Sequence, residues 1–256
     1  LIQPDLGTAM VYLAIILPLA YWGGVKSILL FLIIAPILSL VTVFNFMAFS
    51  IWLILFIFIL MYTYKNSELT LLAIILNFIL NLFSAISAPF LWELLKPHQQ
   101  ERILTFIDPL RDPFGAGWQV WQSRISIGSG GLSGKGWKNG TQAENNFLPV
   151  SDSDFILSTL AEEFGFIMIF IIISILFYFI YWSLIYAQKV NNKFAGLLIV
   201  GFLTMISMHM LINLGMISGL LPVTGLPAPF ISYGGSFFLS CIIMIGLINN
   251  IINNHI

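Results

Sequence analysis

The sequence predicts an all-α, polytopic integral membrane protein with about seven transmembrane helices. Three observations carry that expectation. Of 256 residues, 59% are hydrophobic and only 8% are charged, against about 25% charged in a soluble domain. The mean hydropathy is +0.98. The apolar residues also gather into runs of spanning length, about 20 residues each. Open strands in lipid would leave backbone groups unpaired, so these runs are read as helices. An ordinary soluble enzyme and a disordered chain are excluded by the same composition. The net charge of −1 lacks the basic excess that phosphate-backbone binding needs, which excludes nucleic acid as a partner. The single cysteine, Cys241, excludes an intrachain disulfide and a multi-cysteine metal site.

The seven spans fall at roughly 6–22, 27–44, 46–64, 69–91, 155–187, 193–218 and 233–254. The fifth is long enough to include an interfacial extension or a steep tilt. Lys26, Lys65, Lys189 and Lys193 lie in the loops after spans one, three and five. The alternate short loops, near Asn45 and at 219–232, have no Lys or Arg. The first set is therefore read as cytoplasmic. Segments 1–5, 93–153 and 219–232 then share the outer side. The loop 93–153 holds six basic residues, but loops of about 60 residues largely escape the charge rule. The chain opens on Leu1 without a basic signal-peptide region, so it reads as the C-terminal part of something longer.

Fifteen of the 21 charged residues fall between Glu93 and Glu163. A connection as long as 93–153 is uncommon unless it is functional, so the chemistry is expected there. Asp5 precedes an apolar run and reads as a helix-start acid. Arg102, in Pro97–Arg102, can bind a phosphate bidentately. Asp108-Pro109 and Asp112-Pro113 are turn chemistry. Trp118, Trp121, Gln122 and Ile125 recur at helical spacing, which predicts a helix lying in the headgroup layer, with Arg124 able to reach an anionic headgroup. Gly128–Gly136 is not a P-loop, because Ser129 stands at the first Gly position and Gly136 follows Lys135. A glycine-rich backbone can still offer N–H groups to phosphate oxygens, with Lys135 and Lys138 close by. The histidines His98, His209 and His255 lack zinc-site spacing.

Ser151-Asp152-Ser153-Asp154 opens the fifth span, and one of these four is expected to cap it. Asp154, Ser158, Ala161 and Gly165 fall near one helical face. Glu162 and Glu163 lie two turns further on, where acids are costly and by default functional or paired. Residues 219–236 are apolar but interrupted by Pro222, Pro227 and Pro229, so they cannot form a continuous helix. A re-entrant segment lining an outer cavity is expected, with an outer turn as the alternative.

Many of these motifs together resemble the SEDS family of bacteria (shape, elongation, division and sporulation). They are Gln3–Thr8, Gln99–Arg102, Gly115–Gly117, Gln122-Ser123, Ile127–Gly131, Gly134–Gly136, Gly140–Gln142, Asp154–Ile156, Ala161–Gly165 and Leu221–Ser236. The Gly-Lys-Gly and Gly-Thr-Gln pair and Leu221–Pro227 look more like the elongation member of the family than the division member. The resemblance implies a peptidoglycan glycosyltransferase of the bacterial cytoplasmic (inner) membrane. It would polymerise lipid II, an undecaprenyl-pyrophosphate-linked disaccharide-pentapeptide, for cell elongation and rod shape. The implied partners are a class B penicillin-binding protein and other membrane proteins of the elongation complex. The family's essential acid corresponds to Asp154, with Ser153 replacing Thr. Val150, Asp152 and Asn146 depart from the family pattern, and two helices between Gly7 and Gln99 look like a lineage insertion.

The reaction displaces pyrophosphate from C1 of one sugar with the C4 hydroxyl of another. It needs a base, for which Asp154 is the candidate. It also needs positive charge for the leaving group, with Arg102, Arg124, Lys135 and Lys138 as candidates. Gln122, Ser123 and Asp5, within the family-like motifs, join them as substrate-binding candidates. A helix N-terminus lowers a carboxylate's pKa and desolvation raises it, and the sequence leaves that balance open. No metal ligand is assigned, and a divalent cation such as magnesium is left open. A lipid II transporter and a non-catalytic scaffold of the elongation machinery are the alternatives.

Overall fold

The computed structural model describes residues 6–65, 70–108, 111–112, 115–144, 147 and 152–255. Asp5, Asn146 and Val150 lie outside them. The described residues form ten helices and no strand. They are α1 (Leu6–Trp22), α2 (Ser27–Thr42), α3 (Phe46–Lys65), α4 (Leu71–Leu94), α5 (Pro97–Ile107), α6 (Ala116–Gly130), α7 (Thr141–Glu144), α8 (Ile156–Ala187), α9 (Lys193–Ser218) and α10 (Gly235–His255). Five of these are long and apolar enough to cross a membrane: α3, α4, α8, α9 and α10. The apolar helices α1 and α2 are shorter, at 17 and 16 residues. The chain is a multi-pass, all-α membrane protein.

The chain divides into two compact units, Leu1–Gly23 with Glu101–Ile256, and Gly24–Gln100. In the second unit α2 packs on α3 and α4 around Leu32, Ala35, Phe56 and Leu60. Apolar helices gain little from packing against one another in lipid, so polar side chains hold such bundles together. Ser39 on α2 donates to Asn81 Oδ1 on α4 at 2.6 Å and accepts from Trp52 Nε1 on α3 at 2.8 Å. Asn77 Nδ2 on α4 reaches the Leu32 carbonyl on α2 at 3.3 Å.

The first unit is built on α9, which packs against α1, α6, α8 and α10. Its ends follow from its sequence. Asn192 caps the start, accepting from the N–H groups of Phe194 and Ala195, and Gly219 ends it in the left-handed conformation that glycine adopts without steric cost. Buried Phe155, Leu157 and Ala228 pack against its Met210 and Met216.

α8 is not one continuous rod. Gly165 interrupts it with φ 75° and ψ −177°. The run from Phe166 to Ala187 alone is of spanning length. The extra length of the fifth span therefore includes an extension before a break. A break frees backbone groups that need partners, and the glycine-rich stretch supplies them. Lys135 and Gly136 donate their N–H groups to the Glu162 and Glu163 carbonyls at 2.9 Å each. Phe166 and Ile167 donate to the Gly131 and Leu132 carbonyls at 2.9 and 3.2 Å. A Cβ on Gly134 or Gly165 would clash with the facing backbone. The glycines of 130–136 thus clasp a broken helix. The N–H groups of Gly134, Lys135 and Gly136 are occupied by protein carbonyls rather than offered to a phosphate.

Candidate active site

Asp154 sits in a turn just before α8. The expected cap is not made: the N-cap residue is Phe155, and no side chain bonds the helix start. The three residues before it are instead held from far along the chain. Tyr233 donates its N–H to the Asp152 carbonyl at 3.0 Å. Ser232 Oγ donates to the Ser153 carbonyl at 2.7 Å. Asn213 Nδ2 donates to the Asp154 carbonyl at 2.8 Å. With its main chain secured this way, the Asp154 side chain is not consumed by capping. Its Oδ1 accepts from Ser153 Oγ at 3.2 Å. Its Oδ2 lies where a Cβ on Gly225 would come within 3.3 Å. Burial pushes the Asp154 carboxyl above its usual value of 3.8, with the Ser153 hydrogen bond pulling partly back. Desolvation therefore wins the balance that the sequence left open.

The segment 219–232 beside Asp154 is irregular, as its prolines require. It is nevertheless well packed. Thr224, Leu226, Ala228 and Ser232 are buried. Leu226 packs with Val11 of α1 and Ile212 of α9. Ser232 Oγ accepts from the Ala228 N–H at 2.7 Å, which closes the turn at its end.

Arg102 and Arg124 come together at the other end of this segment. They line a cleft of about 40 Å³ with Thr105, Gly219, Leu221, Pro222 and Val223. Arg124 also completes α9, since its Nε donates to the Ser218 carbonyl at 2.9 Å and its Nη2 to the Gly219 carbonyl at 3.3 Å. A cation at a helix C-terminus is favourable. Thr105 Oγ1 is buried in this region with no hydrogen-bond partner among the described residues. Sequence reasoning missed Thr105, because a lone threonine on an amphipathic helix carries no signal.

Other candidates are placed differently. Lys135 is paired with Glu162, Nζ to Oε1 at 2.6 Å. Glu162 is fully buried. Its Oε1 also accepts from the Thr141 N–H at 2.9 Å, Thr141 Oγ1 at 2.9 Å and Ser129 Oγ at 3.3 Å. Its Oε2 accepts from Ser126 Oγ and the Gln142 N–H at 3.2 Å each. The carboxylate thereby ties the 135–142 stretch to α8, and the Lys135 ammonium is engaged there. Lys138 is exposed, with φ 58°. Ser123 is buried where α6, α8 and α9 meet, bonding Ser158 Oγ at 2.6 Å and the Ile217 carbonyl at 2.8 Å. Gln122 is buried on the same face. The helix read from the tryptophans exists as α6, but it packs on α8 and α9. Its buried side is Gln122, Ser123 and Ser126, and Trp121 is the exposed one. Among the described residues no three His, Cys, Asp or Glu side chains converge as a metal site.

Together these features define a multi-pass helical membrane protein that carries a carboxylate raised by burial, Asp154, and a cleft lined by Arg102 and Arg124. The chain belongs to the FtsW/RodA/SpoVE family of cell cycle proteins, whose profile matches residues 45–255; this is the SEDS family that the motifs resemble. It is 40% identical over 164 residues to the peptidoglycan glycosyltransferase MrdB of Escherichia coli K12, covering 64% of this chain and 44% of that protein. It is 32% identical over 277 residues to the peptidoglycan glycosyltransferase RodA of Treponema pallidum, covering 97% of this chain and 63% of that protein. The chain thus spans about half the length of the curated relatives it matches. A solved chain of a peptidoglycan synthase complex that coordinates polymerization and crosslinking shares the fold. The TM-score is 0.59 at 24% identity, covering 99% of this chain and 57% of that one.

Proposed function

We propose that the protein is a peptidoglycan glycosyltransferase that joins lipid II units into glycan strands at the outer face of the bacterial cytoplasmic membrane. The relatives named above support the activity. The observation that carries the reading is the state of Asp154: the carbonyls of Asp152, Ser153 and Asp154 are held by Tyr233, Ser232 and Asn213 while its carboxylate is left beside Gly225. A carboxylate raised by desolvation is a better base than an ordinary aspartate. It takes the proton of the acceptor C4 hydroxyl as that oxygen bonds to C1 of the donor sugar. The C1–O bond to pyrophosphate breaks, and its electron pair leaves on the phosphate oxygen. Arg102 and Arg124 are the cations that stabilise that developing charge. Segment 219–225 runs from the residues lining the arginine cleft to Gly225 beside Asp154, which supports reading base and clamp as parts of one site. Asp5, Lys135, Lys138, Gln122 and Ser123 remain secondary candidates for substrate binding, of which Lys135 and Ser123 already carry structural bonds.

A class B penicillin-binding protein is the proposed crosslinking partner. The test is to give the full-length protein and that partner labelled lipid II and resolve the products by length. Long glycan strands support the reading. Lipid II recovered intact on the opposite leaflet of a vesicle, with no strand formed, would replace it with transport.

A further inference from the structure

We propose that Asn213 is a positioning residue for Asp154, acting with Ser232. The proposal rests on the reading of Asp154 as the base. Asn213 is fully buried in the last third of α9. An asparagine there is a poor helix former and costs desolvation among apolar neighbours. Its carboxamide is used from one side only. Nδ2 donates both its hydrogens, to the Asp154 carbonyl at 2.8 Å and the Leu226 carbonyl at 2.7 Å. Oδ1 is buried with no hydrogen-bond partner among the described residues. A side chain kept only for its two donors, with its acceptor left at a cost, has been placed for those donors.

The two carbonyls it joins belong to the two walls that meet at the carboxylate. One is the main chain of Asp154 itself. The other lies one residue beyond Gly225, the glycine that faces Asp154 Oδ2. Asn213 therefore fixes the spacing between the Asp154 turn and the segment 219–232. Ser232 fixes the next step, bridging the Ala228 N–H and the Ser153 carbonyl. Gly225 holds φ 73°, a conformation that side chains resist. α8 does not cap itself with any of these residues, so the placement of the Asp154 turn depends on these distant donors, while Ser153 Oγ donates to the carboxylate itself. A general base must sit within about 2.6–3.2 Å of the proton it removes. A misplacement of about 1 Å costs on the order of 100-fold in rate. A positioning role therefore falls on turnover more than on substrate affinity.

The experiment uses the full-length protein with its crosslinking partner and labelled lipid II. It compares Asn213→Leu, Ser232→Ala, Ser232→Thr and Asp154→Asn. Asn213→Leu keeps the approximate volume and removes both donors. The expected result is a kcat fall of at least about tenfold, with KM changed less than about threefold. Ser232→Ala should lose activity in the same way, and Ser232→Thr, which keeps the hydroxyl, should recover most of it. Asn213→Leu within twofold of wild type, beside an inactive Asp154→Asn, would overturn the proposal and leave the base assignment standing. An active Asp154→Asn would instead remove the reading on which it rests. If Asn213→Leu does not fold, the Ser232 pair decides: equal rates for Ser232→Ala and Ser232→Thr would overturn the proposal.

Discussion

Replacing Glu162 with glutamine should cost about 3 kcal/mol of stability. The carboxylate is fully buried. Its oxygens accept from the Lys135 ammonium at 2.6 Å, from two backbone N–H groups, and from the hydroxyls of Ser126, Ser129 and Thr141. Every neighbour is a donor. Glutamine keeps the volume and one acceptor, but it turns the other oxygen into an NH₂ that faces donors. Hydrogen bonds to a charged group contribute about 1.5–3 kcal/mol each, and breaking a buried ion pair costs about 3–5 kcal/mol. The Lys135 side chain is 28% exposed, so its ammonium can turn to water. That puts the cost at the lower end of the range. For a cooperative unit of roughly 150–250 residues about 3 kcal/mol lowers Tm by roughly 6–12 °C. The assay is thermal unfolding of the full-length protein in one detergent, with Lys135→Met and the double variant alongside. The double variant should lose less than the sum, because the two residues share one interaction. A Glu162→Gln protein melting within about 1 °C of wild type, or strict additivity, would refute the reasoning.

Three further outcomes follow from the same geometry. Gly165→Ala puts a Cβ against the Leu132 carbonyl at a φ of 75°, so it should destabilise by more than about 1 kcal/mol and make residues 131–140 sensitive to limited proteolysis. Asp154→Asn should melt no lower than wild type at neutral pH. The sign follows from the raised carboxyl of Asp154: its favourable contribution is full below the usual value of 3.8 and is lost as pH rises through the higher folded value, and melting curves of both proteins against pH check this. Asn81→Leu removes the link from α4 to Ser39 and should cost about 0.5–2 kcal/mol in the Gly24–Gln100 unit, read from the denaturant midpoint of the purified protein.

The helices were legible because lipid imposes a length and an apolar run on any span. α1 to α4 and α8 to α10 follow that rule to within a few residues at each end. The irregular 219–232 segment was legible from its three prolines, which no helix tolerates together. α6 was legible as a helix but not in its orientation. Its tryptophans dominate the pattern, yet the face turned inward is Gln122, Ser123 and Ser126. Those hydroxyls are buried because Ser123 and Ser126 find partners on α8 and α9, which spacing within one helix cannot show. The same limit hid the pairing of Lys135 with Glu162 and of Asn213 with Asp154. These contacts join residues 27 and 59 positions apart. The glycine-rich stretch misled for a related reason: its N–H groups serve a break at Gly165 that becomes visible only once α8 is built.

The most direct test of the account is a comparison of wild type and Asp154→Asn, each full length with the crosslinking partner, on labelled lipid II at matched protein melting temperature. The account predicts long glycan strands from the wild type, a drop to background from Asp154→Asn, and retained lipid II binding in the variant. Strands of equal length and rate from a folded Asp154→Asn protein would contradict it.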